Sequence, residues 1–306
     1  MYAIEAKRLN KIYKATKDTE AKHALKDIDL QVSEGSFFAL LGPNGAGKST
    51  FINIMAGLVL KTSGDISISG YDLQKDMRQA RKAIGIVPQE LNLDPFMSPF
   101  AALEVQAGLY GIAKSERRTM ELLDIVGLPD KAHAQARSLS GGMMRRLLVA
   151  KAMVHSPKIL VLDEPTAGVD VELRHMLWEQ MKLLNKQGTT IILTTHYLEE
   201  AQELCDEIAI IDQGVLIKKD TKSNLMQDFG NRELVIRFAQ DINELPPLLK
   251  DLDGTKDGNV WVFRYEGGEA HSGKIIHKLI DAGLIIESLQ VQEPSLEDIF
   301  IDLTHH

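Results

Sequence analysis

The stretch that decides the fold runs from Phe37 to Thr50 and reads Phe-Phe-Ala-Leu-Leu-Gly-Pro-Asn-Gly-Ala-Gly-Lys-Ser-Thr. Its first part, Phe37–Leu41, is an uninterrupted apolar run, which is typical of a strand buried on both faces of a parallel sheet. The next part, Gly42–Ser49, matches the pattern Gly-x-x-x-x-Gly-Lys-Ser/Thr. A helix-like stretch from Ser49 to Leu58 follows, so the order strand, glycine-rich loop, helix predicts a phosphate-binding loop.

The residue types in this loop suit the triphosphate of a nucleotide. Glycines let backbone N–H groups curl around phosphate oxygens, and the helix that follows directs its positive end at the anion. Lys48 is placed to reach the β- and γ-phosphates, and the Ser49 hydroxyl suits a magnesium ion. The predicted nucleotide-binding residues of the loop are Gly42, Pro43, Asn44, Gly45, Ala46, Gly47, Lys48, Ser49 and Thr50.

Two other apolar runs end in polar residues that suit phosphate chemistry. Ile159–Leu162 is followed by Asp163 and Glu164, and acids at the buried end of a strand are costly unless they have a role. Asp163 suits the magnesium shell and Glu164 the base for an attacking water, with a plain pair of turn acids as the alternative. Thr190–Thr194 leads to His196, which is expected to face the γ-phosphate because parallel strand ends share one crevice; a lone histidine is more often structural.

The composition is that of a folded globular protein. Of the 306 residues, 44% are hydrophobic and 25% charged, which excludes a disordered chain, a collagen-like repeat and a disulfide scaffold. The net charge of −8 does not favour a nucleic-acid partner. The single cysteine, Cys205, favours a reducing cytosol.

No feature of the sequence predicts membrane insertion or secretion. No apolar run approaches the roughly 20 residues that cross a bilayer, and the N-terminus lacks a secretion signal. The final residues, His305 and His306, are native or a tag remnant and carry no inference.

The chain divides by pattern near residue 220. Up to that point apolar runs alternate with amphipathic stretches, which predicts an α/β domain over residues 1–220 with a P-loop NTPase core and a mostly parallel sheet. We also expect an antiparallel β part at the N-terminus. Strand signals fade from about Ser98 to His155, so we expect an inserted helical lobe at about residues 90–156. Its helix-like stretches cover residues 101–110, 114–126 and 142–154.

Residues 221–304 have a different character and predict a small α/β module, for which a ferredoxin-like arrangement is one option. Strand-like runs cover residues 233–238, 260–265 and 284–291, and helix-like stretches lie near 244–252 and 275–280. Asp257-Gly258 predicts a hairpin, and Ser295 with Asp298 forms a capping box for a last helix.

Taken in order, these motifs make the sequence resemble the ATP-binding subunits of ABC transporters over residues 1–220. The further matching motifs are the signature Leu139-Ser140-Gly141-Gly142-Met143, the Q-loop Gln89, the D-loop Thr166-Ala167-Gly168-Val169-Asp170, the switch His196 and the adenine-stacking Tyr13. The resemblance implies an ATP hydrolase with Glu164, His196 and Gln89 as catalytic residues. It also implies magnesium ligands at Ser49, Gln89 and Asp163, and a nucleotide contact made by Ser140, Gly141 and Gly142 of a second copy.

Met143 departs from the family's pattern, which often has glutamine at this position. The resemblance implies that Ser140 and the Gly142 backbone carry the phosphate contact, so activity is expected to survive. The variant Ser-Gly-Gly-Met-x-Arg-Arg, with Glu-Pro-Ser-Leu-Glu-Asp-Ile-Phe at Glu293–Phe300, resembles the exporter branch that moves drugs, polysaccharides or lipids. The C-terminal module is then a stability or dimer cap or a regulatory unit.

The resemblance implies two partners. ATP on the loop of one copy is capped by the signature helix of another, in a head-to-tail dimer that hydrolysis loosens. Work is delivered to a separate multi-span membrane permease, which places the chain on the cytoplasmic face of the cell membrane, in bacteria the inner membrane. The segment Leu91–Pro99, with Leu91, Leu93, Phe96 and Met97, is expected to dock the permease, although a place in the lobe's core suits each residue equally.

Two other classes of function compete with a transporter subunit. A soluble ABC ATPase acting on DNA would need a coiled coil between Lys48 and Ser140, and no heptad tract is present there. A ribosome-acting ATPase usually carries two cassettes, whereas this sequence contains one. A non-catalytic nucleotide-binding regulator is disfavoured because Glu164 and His196 are both present.

Overall fold

The computed structural model describes residues 1–15, 20–169, 171–228, 232–240, 242–246, 249, 251–265, 269–292 and 295–304. The chain divides into two compact units, Met1–Asp220 and Thr221–His306. Strands and helices are numbered along the chain.

The first unit contains a four-stranded antiparallel sheet in the order β2-β1-β4-β5. Its strands are β1 (Tyr2–Tyr13), β2 (Lys22–Ser33), β4 (Ser63–Ile68) and β5 (Tyr71–Asp72). Inward-facing apolar residues such as Ile4, Leu9 and Ile28 are almost completely buried. The antiparallel N-terminal part predicted from the sequence is confirmed.

Beside it lies a six-stranded sheet in the order β10-β9-β3-β8-β7-β6. Its strands are β3 (Phe37–Leu41), β6 (Ile84–Val87), β7 (Ile159–Asp163), β8 (Thr190–Thr194), β9 (Glu207–Asp212) and β10 (Val215–Thr221). The pairs β9–β3, β3–β8, β8–β7 and β7–β6 are parallel. All residues of β3 and β8 are buried, which explains the apolar runs Phe37–Leu41 and Ile191–Leu193.

The described part of this unit contains seven α-helices. They are α1 (Lys48–Met55), α2 (Met77–Ala83), α3 (Pro99–Leu109), α4 (Thr119–Ile125), α5 (Gly141–Met153), α6 (Val171–Lys186) and α7 (Leu198–Leu204). One hydrophobic cluster joins Ile4 and Ile28 of the antiparallel sheet, Phe51 and Met55 of α1, and Phe38 of β3. Helix α1 therefore lies in the core between the two sheets and fixes the loop before it.

Helices α3, α4 and α5 contact one another and form the predicted helical lobe. The predicted helix over residues 114–126 is broken: a 3₁₀ turn at Lys114–Glu116 precedes α4. Helix α5 begins at Ser140, whose hydroxyl accepts a hydrogen bond from the Met143 N–H at 3.3 Å. A serine in this position is a favourable N-cap, so the signature sequence also starts the helix.

The second unit contains an antiparallel sheet in the order β12-β13-β11-β14. Its elements are α8 (Lys222–Asp228), β11 (Arg232–Phe238), β12 (Gly254–Asp257), β13 (Val260–Tyr265), α9 (Glu269–Asp281), β14 (Ile286–Gln292) and α10 (Leu296–Thr304). This strand order is that of a ferredoxin-like module. The predicted capping box is present, because Ser295 N–H donates to Asp298 at 3.0 Å and Asp298 N–H to Ser295 at 3.2 Å.

The helix predicted near residues 244–252 lies partly outside the described residues, which leave out 247, 248 and 250. In its described part the backbone forms hydrogen bonds of the 3₁₀ type, from Leu249 N–H to the Pro246 carbonyl oxygen at 2.8 Å and from Leu252 N–H to the Leu249 carbonyl oxygen at 3.0 Å.

Within the described residues, no helix combines the length and the apolar character that a membrane span requires.

Candidate active site

The phosphate loop connects the end of β3 to the start of α1, and its glycines adopt backbone conformations that other residues avoid. Gly45 has φ of 83° and Gly47 has φ of 115°, both in the left-handed region. A Cβ on Gly47 would lie 2.6 Å from the Ala24 carbonyl oxygen. The loop geometry therefore requires glycine at Gly47, while Asn44 and Ser49 remain exposed to a ligand.

Lys48 is the first residue of α1 and lies beneath the loop, with 8% of its surface exposed. Its ammonium donates hydrogen bonds to the carbonyl oxygens of Gly42, at 2.6 Å, and Pro43, at 3.1 Å. Burial lowers the pKa of Lys48, and the Glu164 and Asp163 carboxylates oppose that shift. A phosphate group would likewise favour the charged lysine, which makes the loop suited to an anion.

Asp163 is the last residue of β7 and is paired in register with Thr194 of β8. The Thr194 hydroxyl donates a hydrogen bond to Asp163 Oδ1. Burial raises the pKa of Asp163; the Thr194 hydrogen bond and the charges of Lys48 and Arg145 act in the opposite direction. A half-buried carboxylate at this point favours a nearby cation.

Glu164 follows β7 in a strained backbone conformation. Its φ is 48°, in the left-handed region that residues with a Cβ rarely occupy. Its N–H donates to the Thr194 carbonyl oxygen at 2.9 Å, and its side chain is 14% exposed. The strain marks this residue as one whose position the fold enforces.

Gln89 and His196 both meet the Glu164 carboxylate. Gln89 Nε2 donates to Glu164 Oε2 at 2.7 Å, and His196 Nδ1 lies 3.5 Å from the same oxygen. The strand register explains the first contact: Val87 pairs with Leu162, so Gln89 and Glu164 each lie two residues beyond a matched pair. The structure thus brings the three predicted catalytic side chains together at the carboxyl ends of β6, β7 and β8.

Arg145 is a contributor that the sequence did not reveal. It lies on α5, is only 4% exposed, and donates from Nη1 to the carbonyl oxygens of Pro88, at 2.9 Å, and Gln89, at 2.8 Å. The signature helix is thereby fixed to the backbone of the Gln89 segment. In the sequence, Arg145 stands in the run Met143-Met144-Arg145-Arg146, where an arginine is expected to lie on an exposed helix face. Its place in this run was the only sequence feature that could have drawn attention to it.

The remaining predicted residues lie apart from this cluster. Ser140 and Gly141 are exposed at the start of α5, and Gly142 is buried. Tyr13, 37% exposed, ends β1, with Lys11 Nζ 4.7 Å from its ring centre. Among the described residues, neither Ser140 nor Tyr13 forms a hydrogen bond with Gln89, Glu164 or His196, which we call the Glu164 cluster. Asp170 lies outside the described residues.

The predicted magnesium ligands offer oxygen atoms of a suitable kind. Ser49 contributes a hydroxyl, Gln89 an amide oxygen and Asp163 a carboxylate, which is a hard oxygen set. Across the described part of the chain, no cluster of three or more His, Cys, Asp or Glu side chains could hold a metal by itself. These residues fit a magnesium ion that shares its shell with phosphate oxygens.

Comparison with protein families matches both units. The model of the family described as ABC transporter matches residues 25–167. The model described as ATP-binding protein DrrA1-3-like, C-terminal domain, matches residues 221–304.

Relatives of nearly full length share about a third of the sequence. The linearmycin resistance ATP-binding protein LnrL of Bacillus subtilis is 37% identical over 98% of both chains. The Nod factor export ATP-binding protein I of Cupriavidus pinatubonensis is 36% identical over 97% of this chain and 90% of its own. A solved dimer of the ATP-binding cassette MJ0796, in a post-hydrolysis state with ADP and Pi, is 28% identical over 71% of this chain and 98% of its own, with a TM-score of 0.63.

Proposed function

The chain belongs to the ABC transporter family of ATP-binding subunits, and from that premise we propose that it hydrolyses ATP to energise export through a separate membrane permease. The names of its relatives support the direction of transport: linearmycin resistance and Nod factor export. The substrate is chosen by the permease and is not encoded here.

The observation that carries this proposal is the convergence of Gln89, Glu164 and His196 at one carboxylate oxygen. Both contacts fall on Glu164 Oε2, which leaves Oε1 to accept a proton from an attacking water. Two neighbours that fix one oxygen orient the other, and orientation is a large part of what a catalytic base needs.

The other residues of the site would bind the phosphates, the adenine and the magnesium ion. The phosphate-loop N–H groups and Lys48 neutralise the triphosphate, and Tyr13 offers an aromatic face to the adenine. Ser49, Asp163 and Gln89 would hold magnesium, which supplies charge neutralisation to the phosphate oxygens when bound. Gln89 thereby belongs to both the metal set and the base-orienting pair.

A second copy of the chain completes the site in this proposal. Ser140, Gly141 and Gly142 present a helix N-terminus with an exposed hydroxyl, which is an anion-binding arrangement. They make no hydrogen bond to the Glu164 cluster of their own chain in its described part. The dimeric state of the MJ0796 cassette supports a pair of copies. In the head-to-tail pair that we propose, Ser140 of one copy and Lys48 of the other hold one ATP.

The segment Leu91–Pro99 remains our proposed permease contact on the cytoplasmic face of the membrane. Phe96 is 70% exposed, whereas Leu91, Leu93 and Met97 are half-buried. Arg137 places its guanidinium 5.5 Å from the Phe96 ring centre, which holds the ring at the surface. Phe96 is therefore the residue of this segment best placed to contact a partner.

Replacement of the proposed base tests the function directly. Glu164→Gln is expected to keep ATP binding and to lower hydrolysis by about 10²- to 10⁴-fold, because the amide cannot accept the proton. Lys48→Ala is the contrasting variant, since it should lose ATP affinity itself. Steady-state hydrolysis and an ATP titration of the purified full chain measure both. Near-normal turnover by Glu164→Gln would remove Glu164 from the base role.

A further inference from the structure

Glu200 is a fully buried carboxylate that the proposed chemistry does not use. It lies on α7 and is 0% exposed. Its Oε1 accepts hydrogen bonds from the Thr166 hydroxyl and, at 3.0 Å, from Trp178 Nε1. Its Oε2 is buried and has no hydrogen-bond partner in the described part of the chain. Burial of an incompletely satisfied carboxylate is costly, so Glu200 requires an explanation.

The first partner, Thr166, belongs to the turn that follows Glu164. That turn is closed by two backbone hydrogen bonds, from Ala167 N–H to the Glu164 carbonyl oxygen at 3.2 Å and from Val169 N–H to the Thr166 carbonyl oxygen at 3.1 Å. Thr166 is itself 0% exposed. Its side chain is thus an internal anchor for the turn that holds Glu164 at its positive φ.

Glu200 is also joined to the segment that carries His196. Its N–H donates to the Tyr197 carbonyl oxygen at 3.0 Å. The Tyr197 ring in turn lies 4.0 Å from the His196 ring, centre to centre. One residue therefore connects the segment after Glu164, through Thr166, with the segment after His196, through Tyr197.

We propose that Glu200 is a positioning residue for ATP hydrolysis. By binding Thr166 and Tyr197 it holds the turn after Glu164 and the segment after His196 at a fixed separation. That separation maintains the 3.5 Å approach of His196 Nδ1 to Glu164 Oε2. Glu200 touches no nucleotide and acts through these neighbours alone. The inference rests on the proposed function, because it assigns Glu200 to the geometry of the proposed base.

Trp178 provides a matched control, because its hydrogen bond reaches the same Glu200 oxygen from α6. Trp178→Phe removes that bond and keeps the anchor to Thr166. Thr166→Val removes the other bond with almost no change of shape. If Glu200 served general stability alone, the two substitutions would act alike on hydrolysis.

The test measures kcat, KM for MgATP and the midpoint of thermal unfolding on the purified full chain. Thr166→Val and Glu200→Ala are expected to lower kcat by roughly ten- to a hundredfold, the range that misplacement of a reacting group produces, with KM changed less than about twofold. Trp178→Phe is expected to keep the wild-type kcat. Glu200→Gln, whose amide oxygen accepts both hydrogen bonds, is expected to restore most of the rate lost in Glu200→Ala.

Three results would overturn the inference: a wild-type kcat in Thr166→Val, an equal loss of kcat in Trp178→Phe and Thr166→Val, or an equal loss in Glu200→Gln and Glu200→Ala. Thr166→Val and Trp178→Phe keep the question answerable if Glu200→Ala does not fold. A wild-type chain that hydrolyses no ATP, or that hydrolyses it as fast as Glu164→Gln, would instead contradict the proposed function.

Discussion

At the scale of single residues, the site is built from charged groups that the fold buries. Lys48 and Arg145 are 8% and 4% exposed, and burial lowers the pKa of both, whereas it raises the pKa of Asp163. Each shift means that the charged form is less favourable in the folded state than in the unfolded one. Burial at the site therefore disfavours the charged form of each of these three side chains.

The substitution Asp163→Asn is expected to raise the midpoint of thermal unfolding of the nucleotide-free chain at neutral pH. Because the folded-state pKa of Asp163 is raised, the ionised carboxylate destabilises the folded state at every pH above that value. Asparagine removes the charge and can still accept the Thr194 hydrogen bond. The rise in the unfolding midpoint is expected in full at pH values above the raised pKa of Asp163. It should vanish as the pH falls below 3.8, the ordinary pKa of an aspartate.

Asp65→Asn is the control for that series, because the Asp65 side chain is 80% exposed and surface changes of this kind usually stay within about 0.5 kcal/mol. Calorimetry from pH 3 to pH 8 would record both variants beside the wild type. A lower midpoint for Asp163→Asn at neutral pH, or a gain that does not depend on pH, contradicts the explanation.

A functional residue could be predicted from the sequence only where the neighbouring residues show which element of the fold it follows. Asp163, Glu164 and His196 follow strongly apolar runs, so their place at a sheet edge follows from the pattern. Glu200 stands in the run Leu-Glu-Glu-Ala-Gln-Glu-Leu, a pattern that predicts a helix whose acidic side chains face the solvent. Which of its acids points inward depends on how α7 packs against α6, and that is a tertiary property.

At the scale of elements, the close approach of β6 to α5 sets the position of the Gln89 segment. Gly85 in β6 lies so near α5 that a Cβ would be 2.4 Å from the Ala152 carbonyl oxygen. Arg145 of the same helix binds the Pro88 and Gln89 carbonyl oxygens just beyond β6. Two hydrogen bonds and a close backbone contact therefore join helix α5 to β6 and the residues that follow it, Pro88 and Gln89.

Gly85→Ala is expected to destabilise the first unit by about 1–3 kcal/mol, because the new methyl group meets backbone rather than a movable side chain. Gly108→Ala is the matched control: Gly108 is exposed in α3, and its nearest heavy atom to a new Cβ is an Arg117 nitrogen at 3.6 Å. Alanine there should stabilise the helix by about 0.5–1 kcal/mol. Urea unfolding followed by Trp178 fluorescence in a Trp261→Phe background measures both. A neutral Gly85→Ala would contradict the close packing.

Element prediction succeeded where a strong pattern and a punctuating residue coincide. The buried strands β3, β7 and β8 and the helix α5 were predicted to within one or two residues, since apolar runs and a serine N-cap fix their ends. The helix predicted near residues 244–252 lies partly outside the described residues; its adjacent prolines, Pro246 and Pro247, lack the N–H donors of a helix interior, so apolar spacing alone does not predict its bounds. Helix α2 was not anticipated, because Met77–Ala83 is short and only Ala80 and Ala83 are buried.

At the scale of the whole molecule, the proposed function requires a membrane partner. A multi-span membrane protein is expected to co-purify with it from detergent extracts, because the proposed function couples ATP hydrolysis to a separate permease. Phe96→Asp is expected to lower that recovery several-fold while ATP hydrolysis by the isolated chain is unchanged. Tagged full-length protein with quantitative mass spectrometry measures it. Recovery with ribosomes or DNA instead would favour a soluble ABC ATPase.

The central claim, that one ATP is held between two copies, is tested most directly by the molar mass of the Glu164→Gln full chain in solution. Light scattering on a size-exclusion column should show a monomer without nucleotide and a doubled mass with MgATP, because binding then proceeds without hydrolysis. Ser140→Ala in the same background should bind ATP and remain monomeric. A Glu164→Gln chain that binds MgATP yet keeps the monomer mass at every nucleotide concentration, even with its permease present, would contradict the claim.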